Sequence, residues 1–135
     1  MKSRQKTPSG AACKRSVCPI ANALDLIGDK WTLLVVRDLL FLGKRQFGEF
    51  IQSPERIPSN ILADRLKRLE KAGLVTRKPY QDRPVRYEYR LTPKGADLFP
   101  VLKEMVRWAS RHIPGAVKPP AGFIEKFENR GNRHT

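Results

Sequence analysis

Apolar and polar residues along the chain alternate with helical period in several stretches and with strand period in two. Ile20, Ala23, Leu24 and Ile27 recur at helical spacing, with Pro19 suited to a first helical position and Gly28 as a stop. Asp29 is placed to cap the next run, Trp31 to Leu42, which is apolar nearly all round and ends at Gly43. A helix of that kind is buried on most sides, so it is predicted to be the central core helix. A shorter amphipathic segment, Gln46 to Gln52, turns Phe47, Phe50 and Ile51 inward. After the loop Ser53-Pro54-Glu55-Arg56, Leu62, Leu66 and Leu69 form the inward stripe of a further helix. Ser59 is placed as its N-cap, and Gly73 suits the left-handed position that ends it. At about 100° per residue, the face opposite the stripe carries Asn60, Asp64, Lys67, Arg68 and Lys71.

Beyond Gly73 the period changes. Leu74 to Tyr80 is predicted as a strand, Gln81-Asp82-Arg83-Pro84 as a turn, and Val85 to Leu91 as a second strand. In the second, Val85, Tyr87, Tyr89 and Leu91 face one way and Arg86, Glu88 and Arg90 the other. Thr92 as cap and Pro93 at the first position open a last long helix, which Pro100 is predicted to kink. Leu98, Phe99, Val101, Leu102, Met105, Val106, Trp108 and Ala109 cover more than half of its circumference. One packed face needs a stripe only about 100° wide, so the surplus calls for a partner, and a second subunit is the obvious one. Residues 1–16 are predicted to be a disordered basic arm, 17–113 the folded domain, and 114–135 a tail that is mostly loop. In that tail Phe123, Ile124 and Phe127 are candidates for docking.

Charge narrows the partners. The 135 residues hold 27 Lys+Arg against 13 Asp+Glu, a net charge of +14, which points to a polyanion, either nucleic acid or an anionic membrane surface. No apolar run approaches the roughly 20 residues that span a bilayer, and no signal-peptide core follows the basic start. A cytoplasmic, nucleoid-associated protein without a membrane contact is therefore expected. Two short helices joined by a tight connection, the second basic on its outer face, make a helix-turn-helix, and the hairpin after it has a basic tip. No nucleophile triad, glycine-rich phosphate loop or paired carboxylates appear, so no enzyme and no cofactor are expected. Cys13 and Cys18 have no histidine near them in sequence, which argues against a metal site; His112 and His134 are remote.

Five segments together resemble the HxlR-type family of bacterial transcription regulators, a winged helix-turn-helix group. They are Cys18-Pro19-Ile20, Ala23 to Trp31 with its Gly28-Asp29-Lys30-Trp31, Arg45-Gln46-Phe47-Gly48-Glu49-Phe50, Leu62 to Glu70, and Arg86 to Gly95. They follow one another in register from about Cys18 to Trp108. The resemblance implies an α+β, mainly helical fold: a winged helix-turn-helix domain whose extra N- and C-terminal helices form a homodimer interface. It further implies recognition helices in successive major grooves of double-stranded DNA, wings on the flanking backbone, and action as repressor or activator. Many members place Ser-Pro at the start of the recognition helix, where this chain has Pro58-Ser59.

On that basis the candidate DNA-reading surface is Ser59, Asn60, Ala63, Asp64 and Lys67. Asn pairs with adenine, Asp accepts from cytosine, Ala touches the thymine methyl, and Lys meets guanine or phosphate. Arg65, toward the flank of the helix, either braces the fold or reaches a phosphate. Arg83 and Arg86 at the hairpin tip are candidates for phosphate or minor-groove contact. Lys30 and Thr32 mark either a helix start open to a phosphate or an ordinary one. The candidate dimer residues are Ile20 and Leu24 on the first helix and Val101, Leu102, Met105 and Trp108 on the last. Cys18 precedes a helix N-terminus between Arg15 and Lys30, a setting that favours a thiolate. It is either an inert buried cysteine or, as some members of the family imply, a sensor of oxidants or electrophiles; Cys13, in the arm, is a candidate to resolve an oxidised Cys18 or to pair with another chain. The alternative to a specific regulator is a nucleoid-type protein that coats DNA without sequence choice. The small-molecule effector is not defined by any motif.

Overall fold

The computed structural model describes residues 15–132, with side chains as far as Glu128. The described residues form seven helices and one hairpin: α1 (Pro19–Ile27), α2 (Thr32–Leu40), α3 (Phe47–Ile51), α4 (Ser59–Lys71), β1 (Val75–Asp82), β2 (Val85–Leu91), α5 (Pro93–Ala96), α6 (Phe99–His112) and α7 (Glu125–Asn132). The fold is the mainly helical winged helix-turn-helix that the sequence predicts. Val35, Val36, Leu39 and Leu40 of α2 lie in the core beside Phe50 of α3 and the Leu62, Leu66 and Leu69 stripe of α4. That apolar layer sets the angle at which α4 leaves its opposite face in solvent.

A polar network inside the same layer fixes the turn between α3 and α4. Asp38 of α2 is 2% exposed. It accepts from Ser53 Oγ at 2.5 Å and from Lys44 Nζ at 3.4 Å, while Lys44 also donates to Ser53 Oγ at 2.9 Å. A buried carboxylate is tolerated only when donors surround it, and here they come from both ends of the α2-to-α4 stretch. Arg37, beside it, donates to both oxygens of Glu55 at 2.7 and 2.9 Å, and this holds the Glu55 carboxyl below the usual range. At the start of α3, the Glu49 carboxylate accepts from the amides of Arg45 and Gln46, which completes a capping box.

β1 and β2 pair antiparallel from Val75↔Leu91 outward, but the register slips between Pro79 and Gln81, leaving Tyr80 as an extra residue. The β2 edge is covered by a short third segment that the alternation pattern does not reveal. Gln46 bridges Glu88, and Tyr89 N donates to Arg45 O at 2.7 Å. The wing is thereby tied to the start of the helix-turn-helix.

Two expectations are corrected, and the tail is given its detail. The single long helix after Thr92 is two helices, α5 and α6, separated at Asp97-Leu98. Pro100 has no N–H and its ring would clash with the carbonyl four residues back, so a helix cannot run through it. It sits instead in the first turn of α6, where no amide is needed. Thr92 is the cap of α5, its Oγ1 accepting from Gly95 N at 3.1 Å and donating to Gly73 O at 2.6 Å. Gly95 lies so close to Leu74, the residue before β1, that a Cβ there would stand 2.1 Å from Leu74 O. In the tail, residues 114–124 lie outside any helix and 125–132 form α7, which folds back onto the domain. Phe127 packs edge-on to Phe41 at 4.9 Å, Phe123 joins them, and Lys103 holds Glu128 at 2.5 Å. Finally, Leu102, expected at a dimer interface, is 7% exposed and belongs to the protomer's own core. It projects from α6 on the same side as buried Phe99.

Candidate nucleic-acid interface

The start of α4 differs by one residue from the predicted cap. Pro58, extended at φ −63° and ψ 145°, is the capping residue, and its carbonyl accepts from Leu62 N at 2.9 Å. Ser59 is the first helical residue. Proline has no side-chain acceptor, so the first-turn amides of α4 have no side-chain cap. Downstream, Ser59, Asn60, Ala63, Asp64 and Lys67 are all exposed, with Asn60, Asp64 and Lys67 opposite the leucine stripe and Ser59 and Ala63 on its flank. Gly73 closes the helix at φ 81°, a conformation that a Cβ disfavours.

The charged residues of this surface divide into two kinds. Arg65 is half-buried and spans two carboxylates. Its Nε donates to Asp29 at 2.8 Å, and its Nη1 bonds Asp64. Arg68 also approaches Asp64, at 3.7 Å. Asp64 thus faces outward with its charge largely matched. Asn60 and Lys67, by contrast, make no side-chain hydrogen bond or ion pair among the described residues. Of the alternatives left open for Arg65, the geometry is that of a brace.

Asp29 is the hub of that brace. Its Oδ2 accepts from the amides of Trp31 (3.0 Å) and Thr32 (3.1 Å) and from Arg65, and its Oδ1 accepts from Thr32 Oγ1 at 2.5 Å. Partial burial disfavours its ionised form. The bonds from Thr32, Arg65 and the two amides outweigh that, holding the carboxyl far below the usual carboxylate range. The α1–α2 turn is therefore locked to the second turn of α4. It follows that Thr32 is not open to a phosphate: it is 3% exposed, and both its amide and its hydroxyl are taken by Asp29. Lys30 remains exposed, with its ammonium 5.1 Å from the Trp31 ring centroid.

Arg83 and Arg86 are exposed at the hairpin tip, where the Arg83-Pro84 peptide is cis. Arg86 borders a slot of about 290 Å³ between α3 and the hairpin, with Phe47, Tyr80 and Tyr87 among its walls. Arg77, the third residue of β1, stacks on Tyr87 at 4.2 Å and also pairs with Glu70. On α1 and α6, Ile20, Leu24, Val101, Met105 and Trp108 are exposed, Trp108 by 59%. Val101, Met105, Trp108 and Ile113 line an open apolar groove of about 670 Å³ along α6. Cys18 is exposed and is the capping residue of α1; its carbonyl accepts from Asn22 N at 2.9 Å. Arg15 is turned away to Asp25, at 2.7 Å. Cys13 and His134 lie outside the described residues.

Sequence reasoning missed three features of this site. The Asp29–Arg65 bond joins residues 36 apart, and no local spacing signals it. The isolated bridge from Gln46 to Glu88 involves too few residues to show a period. Arg56, in the turn before α4, takes a left-handed conformation at φ 61° that its residue type does not announce.

The comparisons agree with this geometry. The HxlR-like helix-turn-helix family matches over residues 26–116. A relative in Mycobacterium tuberculosis, described as an uncharacterised HTH-type transcriptional regulator, is 40% identical over 101 residues, 75% of this chain; the match spans 63% of that protein's length. Among solved structures, the redox regulator HypR in its reduced form superposes with a TM-score of 0.65 at 32% identity, covering 72% of this chain and 95% of that one. The reduced transcriptional regulator YodB from Bacillus subtilis does so with a TM-score of 0.59 at 34% identity, covering 73% and 97%. With the fold, the ordered motifs and the matched span all in agreement, the chain belongs to the HxlR-like helix-turn-helix family.

Proposed function

We propose that this chain is a dimeric transcription regulator that binds a specific DNA operator and works by recognition, with no catalytic step. The observation that carries this reading is the division of α4. Its leucine stripe is sunk in the core, while Asn60, Ala63 and Lys67 stand exposed next to a basic hairpin. In this reading α4 enters the major groove. Asn60 pairs with adenine, Ala63 meets a thymine methyl, Lys67 meets guanine or phosphate, and Ser59 serves the first-turn backbone contact. Asp64 accepts from a cytosine amine, and Arg65 serves it as a positioning residue. Lys30, Arg83 and Arg86 neutralise flanking phosphates. A second copy docks through Ile20, Leu24, Val101, Met105 and Trp108, and sets two half-sites about 34 Å apart, one helical turn of DNA.

Selection of bound sequences from random DNA, followed by footprinting against excess unrelated DNA, tests the reading. A discrete protected site is expected. Uniform coating without one would replace the regulator with a non-specific DNA-coating protein. At the selected site, Asn60→Ala is expected to weaken binding about tenfold or more, the worth of one bidentate base contact. Random DNA should lose little. Equal losses on both would remove Asn60 from the reading role.

Cys18 is the proposed sensor. Two of the solved relatives are redox or transcriptional regulators captured in defined redox states, and this thiol is exposed at the start of a helix that carries the proposed dimer residues. A peroxide would supply the oxidant. The thiolate sulfur attacks one peroxide oxygen, the O–O bond breaks, water leaves after protonation, and a sulfenic acid remains. Peroxide is expected to change the operator affinity of the parent chain and to leave Cys18→Ser unchanged. If the serine variant responds as the parent does, Cys18 is not the sensor.

A further inference from the structure

We infer that Arg56 is a DNA phosphate anchor at the lip of the groove that α4 enters. This rests on the DNA-binding reading above and adds to it a contact outside the helix and the wing. Arg56 is the one non-glycine residue with positive φ among the described residues, at φ 61°. Glycine adopts that conformation without steric cost, and a residue with a Cβ does not. Residues strained in this way cluster at functional sites, where the surrounding structure holds them.

The rest of the turn shows what the fold does need. Ser53 is buried and bonded to Asp38 and Lys44. Glu55 is held at both oxygens by Arg37. Ile57 is buried in the core, and Pro58 starts α4. Arg56 contributes only its backbone, donating its amide to Ser53 O at 3.0 Å, a bond that glycine would also make. Its side chain is exposed and has no ion pair or hydrogen bond among the described residues. Of the other cations from α2 to α4, Arg37, Lys44, Arg45, Arg65 and Arg68 each have carboxylate, hydroxyl or carbonyl partners, whereas Lys67 and Lys71, on the outer face of α4, share the free state of Arg56 among the described residues.

Position supplies the ligand. Ser59 is three positions after Arg56, so the two Cα atoms lie within about 11 Å of each other. The major groove is about 12 Å wide, with phosphates along both edges. A guanidinium beside the first turn of an inserted helix therefore meets the backbone at one edge, where a planar fork of donors suits phosphate oxygens.

The test compares parent, Arg56→Gly, Arg56→Lys and Lys118→Gln on the selected operator and on random duplex across a salt series. Lys118 is exposed and lies outside the helix-turn-helix, so its change controls for loss of one charge. Arg56→Gly is expected to melt no lower than the parent. It should bind both DNAs about three- to tenfold more weakly near physiological salt, with a salt slope shallower by about 0.9, the value of one phosphate contact. Arg56→Lys should keep the parent slope, and so should Lys118→Gln. If Arg56→Gly keeps the parent slope and affinity, or if Arg56→Lys loses as much slope as Arg56→Gly, the anchor is refuted and the DNA-binding reading stands. If the parent binds neither DNA, both fall.

Discussion

Asp29→Ala is expected to lower the melting temperature by about 10 °C and to weaken operator binding in the protein that remains folded. Two losses combine. The α1–α2 turn loses the acceptor for the Trp31 and Thr32 amides and the Thr32 hydroxyl, a cap worth about 1 kcal/mol. The charge-assisted bond from Arg65 goes too, worth about 1.5–3 kcal/mol. Together they reach about 3 kcal/mol, and each kcal/mol moves the midpoint of a domain this size by roughly 2–8 °C. Asp29→Asn separates the terms, because asparagine caps as well as aspartate but carries no charge. It should recover about a third of the loss.

Acid gives a second check. The folded-state pKa of Asp29 is depressed, so its contribution is fully present above the ordinary carboxylate range, near pH 4, and is lost as pH falls from there toward its folded value. The gap between parent and Asp29→Ala should therefore be constant from neutral pH down to about pH 4 and shrink below it. A gap that stays constant in acid would mean that Asp29 acts through packing alone. The expected loss of binding has its own cause. Without Asp29, Arg65 is free to leave Asp64, and an unmatched carboxylate would then face the DNA phosphates.

What was legible in the sequence was whatever a local period encodes. The leucine stripe placed α4 and its outer row, and strict alternation placed β2, because each needs only neighbours a few residues apart. The Thr92 cap and the Gly73 stop were legible for the same reason. Tertiary choices were not. In α6 apolar residues sit on two faces, and a helical wheel does not tell which face turns inward. Leu102 proved to be core, while Val101, one position earlier, is exposed. Composition masked α7, since Pro119-Pro120 and a basic end resemble a loop until Phe41 offers Phe123 and Phe127 a surface to cover. At the candidate site, the identity of the outer residues was legible, but the sorting of its cations was not. Whether an arginine braces or is free depends on carboxylates far along the chain, as Asp29 for Arg65 and Glu55 for Arg37 show.

The two-faced α6 leads to the second large effect. A double change, Met105→Glu with Trp108→Glu, is expected to turn a dimer into a monomer and to cost about 100-fold or more in operator affinity. Phe99 and Leu102 anchor one face of α6 in the protomer. On the other, Val101, Met105, Trp108 and Ile113 leave an open apolar groove, and exposed tryptophan and methionine side chains clustered this way mark an interaction surface. A second copy carries the same groove, so a two-fold contact buries both at once. Carboxylates placed there would lose their water with no cation on the groove wall to meet them, and like charges would face each other across the two-fold. The protomer core does not contain either side chain, so the helical circular dichroism of the variant should match the parent. Each half-site would then be bound alone, without the effective concentration that a linked second site provides, which is the source of a factor of about 10²–10⁴. Sedimentation and operator titration at matched salt measure both halves of the expectation. A variant that still sediments as the parent does would show that the groove on α6 is not the contact that joins two copies.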